Sequence, residues 1–242
     1  METVPGRAHA APLLLLLALC GCGESAQLPR TGADAVILAF GDSLTYGTGA
    51  PEAQSYPAIL ARLSGRDVIN AGVPGEISAD GLERLPRLLE EHEPALVVLC
   101  HGGNDFLRRL DAGATADHLR RMIALARERG AGVLLVGVPQ IGLFLEAAPL
   151  YGEIADEARI PYLDWVVPEV LGDASLKSDT VHPNAAGYQK IAEAVHQSLL
   201  EAGAFRPEPP RVCHVSGEPL PCAALQTPSR IAMNFLCRTG LT

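Results

Sequence analysis

Five short apolar runs, each handing on to a stretch of different periodicity, restrict this chain more than any other feature in it. They are Ala35 to Phe40, Asp67 to Asn70, Ala95 to His101, Gly132 to Val138 and Ile160 to Leu163, all rich in Val, Leu and Ile. A strand with one face in water alternates apolar and polar residues, whereas near-continuous runs suit strands covered on both faces. Between them, Tyr56 to Leu63, Ala79 to Glu91, Thr115 to Arg129 and Leu145 to Arg159 carry apolar residues at three- and four-residue spacing, with Glu and Arg on the other face. The stretch from Asn184 to Gly203 closes the series as a last helix. This alternation predicts the α/β class: three layers, with one five-stranded parallel sheet and right-handed crossovers. With 242 residues, 48% of them hydrophobic, the chain has material for one such domain.

The two ends fall outside this pattern. Arg7 precedes "AAPLLLLLALCGCG", too short to span a bilayer and suited to the h-region of a secretory signal. Its end, "LCGC" from Leu19 to Cys22, resembles a bacterial lipobox, which makes Cys22 the candidate lipidation site; an ordinary signal peptide cut near Ser25 or Ala26 is the alternative. Residues 1–22 are thus expected to be a signal peptide, 23–33 a linker, 34–205 the folded domain and 206–242 a proline-rich tail bearing cysteines. The expected location is outside the cytoplasm, periplasmic or tethered to a membrane face through Cys22. Cys100 suits a buried strand, and Cys213 and Cys222 could close a small loop in an oxidising compartment, leaving Cys237 odd. The tail cysteines lack paired zinc-ligand spacing, so no metal is expected. A formal net charge of -9 and the absence of a Lys/Arg cluster exclude a nucleic-acid backbone as partner.

In an open parallel sheet, ligands bind outside the carboxyl ends of the strands. Four unusual loops belong at that edge: Gly41-Asp42-Ser43, "NAGVPGEIS" from Asn70 to Ser78, "HGGND" from His101 to Asp105, and "SDTVHPN" from Ser178 to Asn184. Taken alone, Ser43 reads more readily as a helix cap, and only the other three loops reverse that reading. Together the loops hold the parts for acyl transfer. A serine hydroxyl needs a base, and the imidazole of His182 suits that work near neutral pH. Asp179, three residues earlier, can fix its tautomer and stabilise the imidazolium, and Pro183 biases His182 to an extended backbone. The backbone N–H groups of Ser43 and Gly75 and the amide of Asn104 are candidate oxyanion donors, with Gly102 and Gly103 allowing Asn104 a tight approach. Ile141, Leu143 and Phe144, with Leu145, are candidates for the wall of an acyl site.

In order and separation, "FGDSL", "NAGVPG", "GGND" and "DTVHPN" resemble the four blocks of the SGNH subgroup of GDSL hydrolases, near the bacterial thioesterase, lysophospholipase and arylesterase branch. The resemblance spans about Val36 to Leu200. It implies a flavodoxin-like sheet of order 2-1-3-4-5, no cofactor, and an acyl-enzyme mechanism on small-molecule or lipid esters. It assigns Ser43, Asp179 and His182 to the catalytic triad and Ser43, Gly75 and Asn104 to the oxyanion hole, preferring Gly75 to Gly72. The segment "VPQIGLFLEAAPLYG" and the tail depart from the family. The same parts would serve a carbohydrate O-deacetylase or an acyltransferase, and an exported binding lipoprotein could keep the fold without the reaction. Asp42 and Asp105 are expected to brace their own loops, His101 to make a structural hydrogen bond, and His92, His118 and His196 to lie on the surface.

Overall fold

The computed structural model describes residues 26–140, 145–205, 212–215 and 218–221. In chain order they form β1 (Ile37–Gly41), α1 (Ser43–Tyr46), α2 (Tyr56–Ser64), β2 (Val68–Gly72), α3 (Ser78–His92), β3 (Leu96–Cys100), α4 (Gly103–Leu107) and α5 (Ala112–Glu128). Then come β4 (Gly132–Val136), α6 (Pro149–Ala158), β5 (Tyr162–Leu163), α7 (Val166–Gly172), α8 (Ala185–Glu201), β6 (Val212–Val215) and β7 (Glu218–Pro221). Strands β1 to β5 make one parallel sheet of order β2-β1-β3-β4-β5. On the helical side, α2 packs on α8 and α8 on α7, while α3 packs on α5 and α5 on α6.

The central strands β1, β3 and β4 are buried along their whole length, which is why their sequences run apolar without alternation. β2 is an edge strand, half-exposed, and its polar Asn70 faces water at no cost. Gly41 pairs with both Gly72 and Cys100, so β1, β2 and β3 stop at one level. After β1 the chain steps to β2 on one side and then crosses to β3 on the other. That reversal opens a crevice at the carboxyl ends of β1 and β3.

Several boundaries differ from the sequence reading, for local reasons. The helix expected from Leu145 starts at Pro149, because the residue before a proline is held out of the helical region: Ala148 has φ -60° and ψ 136°, and Pro149 opens α6. The helix expected from Thr115 starts earlier, at Ala112, since Asp111 caps it by accepting the Ala114 N–H at 2.7 Å. The helix expected to follow the Ser43 turn is the short α1, whereas α4 and α7 were not anticipated. The segment expected to be a linker is bonded to the end of α8: the N–H groups of Leu28 and Thr31 donate to the carbonyls of Ala202 and Ala204, each at 2.8 Å. In the proline-rich tail, β6 and β7 pair antiparallel as a sheet of their own. Cys22, Ile141, Leu143, Phe144, Cys222 and Cys237 lie outside the described residues, and so do the signal and lipobox readings. Among the described residues, no helix is long and apolar enough to cross a membrane.

Candidate active site

The turn after β1 places Ser43 as the first residue of α1, and the capping role falls to its neighbour. Asp42 Oδ1 accepts the Leu44 N–H at 3.0 Å, satisfying one of the free donors at the helix start. The alternative of Ser43 as a mere cap thus falls away, since Asp42 fills that position. Its hydroxyl is half-buried and available to a partner from another element.

That partner comes from the loop between α7 and α8. Asp179 Oδ1 accepts the backbone N–H groups of Val181 and His182, both at 2.8 Å, folding the loop into a tight Asx turn. A bridge between Lys177 and Pro183 closes its base. The turn leaves Asp179 Oδ2 2.7 Å from His182 Nδ1 and puts Nε2 3.1 Å from Ser43 Oγ. An ionised carboxylate only accepts, so Nδ1 carries the ring proton and the Nε2 lone pair faces the hydroxyl; the tautomer follows from the hydrogen-bond partners. The hydrogen bond from His182, then that from the Val181 N–H, holds the Asp179 carboxyl below the usual carboxylate range against a small desolvation. The Asp179 side chain is 53% exposed and that of His182 19%, so the pair opens to solvent.

On the other side of Ser43, the loops after β2 and β3 bring Gly75 and Asn104 to the same cavity, of about 460 Å³, that Ser43 and His182 line. Backbone conformation requires glycine at position 75. Nothing but the Arg108 guanidinium, at 3.8 Å, would meet a Cβ there; what needs glycine is a φ of +79°. Gly102 needs both freedoms, with φ +106° and the Tyr151 hydroxyl 2.7 Å from where a Cβ would stand. Asn104 Nδ2 donates to the Glu76 carbonyl at 2.9 Å and, at a longer 3.3 Å, to Asp42 Oδ2. Two acceptors on that atom also fix which end of the amide is nitrogen. The apolar wall is built from Leu107, Val138, Leu145 and Leu171.

Glu76 and Arg84, which sequence reasoning passed over, hold this arrangement in place together with His101, which makes the structural hydrogen bond expected of it. The Glu76 carboxylate accepts from Arg84 at 2.8 and 2.7 Å and from His101 Nε2 at 3.1 Å, while the Gly102 N–H donates to His101 Nδ1 at 2.9 Å. Burial pushes the Glu76 carboxyl up, but the hydrogen bonds from His101 and Arg84 outweigh it and bring it below its ordinary value. Burial likewise raises the Asp42 carboxyl. Asp105 braces its loop as expected, accepting from the Ser78 N–H at 2.9 Å and the Ser78 hydroxyl at 2.6 Å. His118 and His196 are half-buried rather than simply on the surface: His118 Nδ1 lies 2.8 Å from the Ser78 hydroxyl, and His196 stacks on Phe205.

The profile of the GDSL-like lipase/acylhydrolase family matches residues 39–190. The chain is 34% identical over 194 residues to the esterase TesA of Pseudomonas aeruginosa, covering 76% of this chain and 96% of that protein. It is 33% identical over 181 residues to a protein of Escherichia coli K12 named thioesterase 1/protease 1/lysophospholipase L1, covering 70% and 86%. A crystal structure of TesA superposes with a TM-score of 0.60 at 32% identity, over 69% of this chain and 99% of the other.

Proposed function

The chain belongs to the GDSL-like lipase/acylhydrolase family, and from that premise we propose that Ser43, His182 and Asp179 carry out ester hydrolysis through an acyl-enzyme. Ser43 Oγ attacks the acyl carbon as His182 Nε2 takes its proton; Asp179 holds the imidazole in the required tautomer and stabilises the cation that forms. The backbone N–H groups of Ser43 and Gly75 and the Asn104 amide receive the negative charge that gathers on the carbonyl oxygen. For Asn104 this means giving up its longer contact, to Asp42, as the oxyanion arrives. His182 then returns the proton to the leaving oxygen or sulfur. Water, activated by the same imidazole, releases the acid.

One observation carries the reading: an unbroken Ser43–His182–Asp179 hydrogen-bonded chain, 3.1 and 2.7 Å, opens on a largely apolar cavity. The substrates proposed are small-molecule or lipid esters and thioesters, in keeping with relatives named esterase and thioesterase/lysophospholipase. The test is turnover of aryl esters, acyl thioesters, lysophospholipids and acetylated sugars by the purified protein and by Ser43→Ala. Hydrolysis of the first three classes that disappears in the variant is expected. Binding of these compounds without turnover would make the chain a binding protein on a hydrolase fold, and turnover confined to acetylated sugars would make it a deacetylase.

A further inference from the structure

Scattered apolar side chains on a protein surface carry no message; their grouping does. Among the described residues, Tyr46, Val73, Leu107, Leu110, Leu145 and Trp165 are large, apolar and 38–54% exposed. All six lie in the loops and short helices that leave the carboxyl ends of the strands, the edge that holds Ser43. Leu63, on α2, is the one other large apolar side chain exposed to that degree. Four of the six border the site or the hollow beside it. Leu107 and Leu145 line the Ser43 cavity, Val73 precedes Pro74 in its wall, and Leu145 also lines a neighbouring hollow of about 600 Å³ together with Trp165.

We propose that this rim seats the mouth of the active site on a zwitterionic phospholipid surface, so that ester substrate passes from the lipid layer into the cavity. The inference deepens the proposed esterase reading and rests on it. The composition of the rim favours this partner. Tyr and Trp are the side chains that settle at a membrane–water boundary, with an apolar body and a polar tip. Leu107 and Leu110 bracket Arg108 and Arg109, both exposed, with guanidinium groups suited to lipid phosphates. Arg108 also donates to the Gly75 carbonyl at 2.7 Å, tying the rim to the site. Across the cavity, exposed Glu146 and Asp164 stand next to Leu145 and Trp165. A rim offering both signs matches a headgroup that carries a phosphate and an ammonium. The net charge of -9 opposes approach to an anionic surface.

Trp165 is the single tryptophan of the chain, so its fluorescence reports on the rim itself even where another segment tethers the protein. The full chain is mixed with phosphatidylcholine vesicles, with and without bromine on the acyl chains, and with phosphatidylglycerol vesicles. The expected result is a blue shift and bromine quenching of Trp165 on phosphatidylcholine, with a much smaller response on phosphatidylglycerol. Leu110→Asp, outside the cavity lining, should weaken that response and lower turnover of vesicle-borne lysophospholipid about tenfold, the scale of one lost leucine burial, with p-nitrophenyl acetate turnover unchanged. That last rate also keeps the outcome separate from failure of the esterase reading. An unshifted Trp165 on phosphatidylcholine, a response undiminished in Leu110→Asp, or an equal response on phosphatidylglycerol would overturn the proposal. A lipid-independent shift that grows with protein concentration would assign the rim to a second copy of this chain instead.

Discussion

Replacing Asn104 by alanine separates its place in the loop from its proposed place in the reaction. In the resting site Asn104 makes one good hydrogen bond, to the Glu76 carbonyl at 2.9 Å, and one long one, to Asp42 Oδ2 at 3.3 Å. Losing the first is worth about 1 kcal/mol of stability, or a fall in Tm of roughly 2–4 °C for a domain of this size. Losing a donor to the oxyanion is worth about 3 kcal/mol in the transition state alone, which lowers kcat by about 10² to 10³. KM should barely move, since the neutral carbonyl of the ground state needs the donor less. The assay is kcat, KM and Tm on one preparation, with a soluble aryl ester. Asn104→Asp should lose at least as much kcat, because it sets a carboxylate against Asp42 and the developing charge. A variant that keeps kcat within a few fold while losing several degrees of Tm would refute the oxyanion role and leave Asn104 as a brace for its loop.

Gly75→Ala should destabilise the fold by about 1 kcal/mol, from the positive φ alone, and Gly102→Ala by more, because its Cβ would also press on the Tyr151 hydroxyl; denaturant midpoints check the order. Asp179→Asn should lower kcat strongly with little change in KM or Tm, since the side chain orients His182 and is itself half in water; steady-state kinetics beside a melting curve test this. Glu76 has a carboxyl held below its ordinary value in the fold, so its stabilisation is present above the unfolded carboxylate range and lost as pH falls through the folded value. The Tm gap between wild type and Glu76→Gln should be full above about pH 5 and close on further acidification. Truncation after Phe205 should leave aryl-ester turnover unchanged, because β6 and β7 form a sheet apart from the one that carries the site.

The sheet was legible because its central strands are dry on both faces, and nothing but continuous apolar sequence satisfies that. The order of the strands was not in the periodicity and came only through the family resemblance. Pro149 was visible and marks the start of α6, yet the apolar spacing from Leu145 onward suggested an earlier start. In the site, Ser43, Gly75, Asn104, Asp179 and His182 could be named from four short loops, since each loop is unusual by itself, and the structure brings all five to one cavity or its mouth. His101 was expected to make a structural hydrogen bond and does, but its partner Glu76, and Arg84 beside it, left no such trace. Their contacts join residues 8 and 25 positions apart, and a glutamate in a loop or an arginine on a helix looks like any solvated charge until the fold closes. Asp42 was expected to brace its own turn, and it does so by capping α1.

The most direct measurement is mass-spectrometric mapping of a fluorophosphonate adduct on the folded protein, compared with His182→Ala. Attack on phosphorus requires the same activated hydroxyl as attack on an acyl carbon. One adduct is expected, on Ser43, formed at a rate that collapses when His182 is removed although Ser43 stays in place. Stoichiometric labelling at another residue, or labelling of Ser43 that proceeds equally fast without His182, would contradict it.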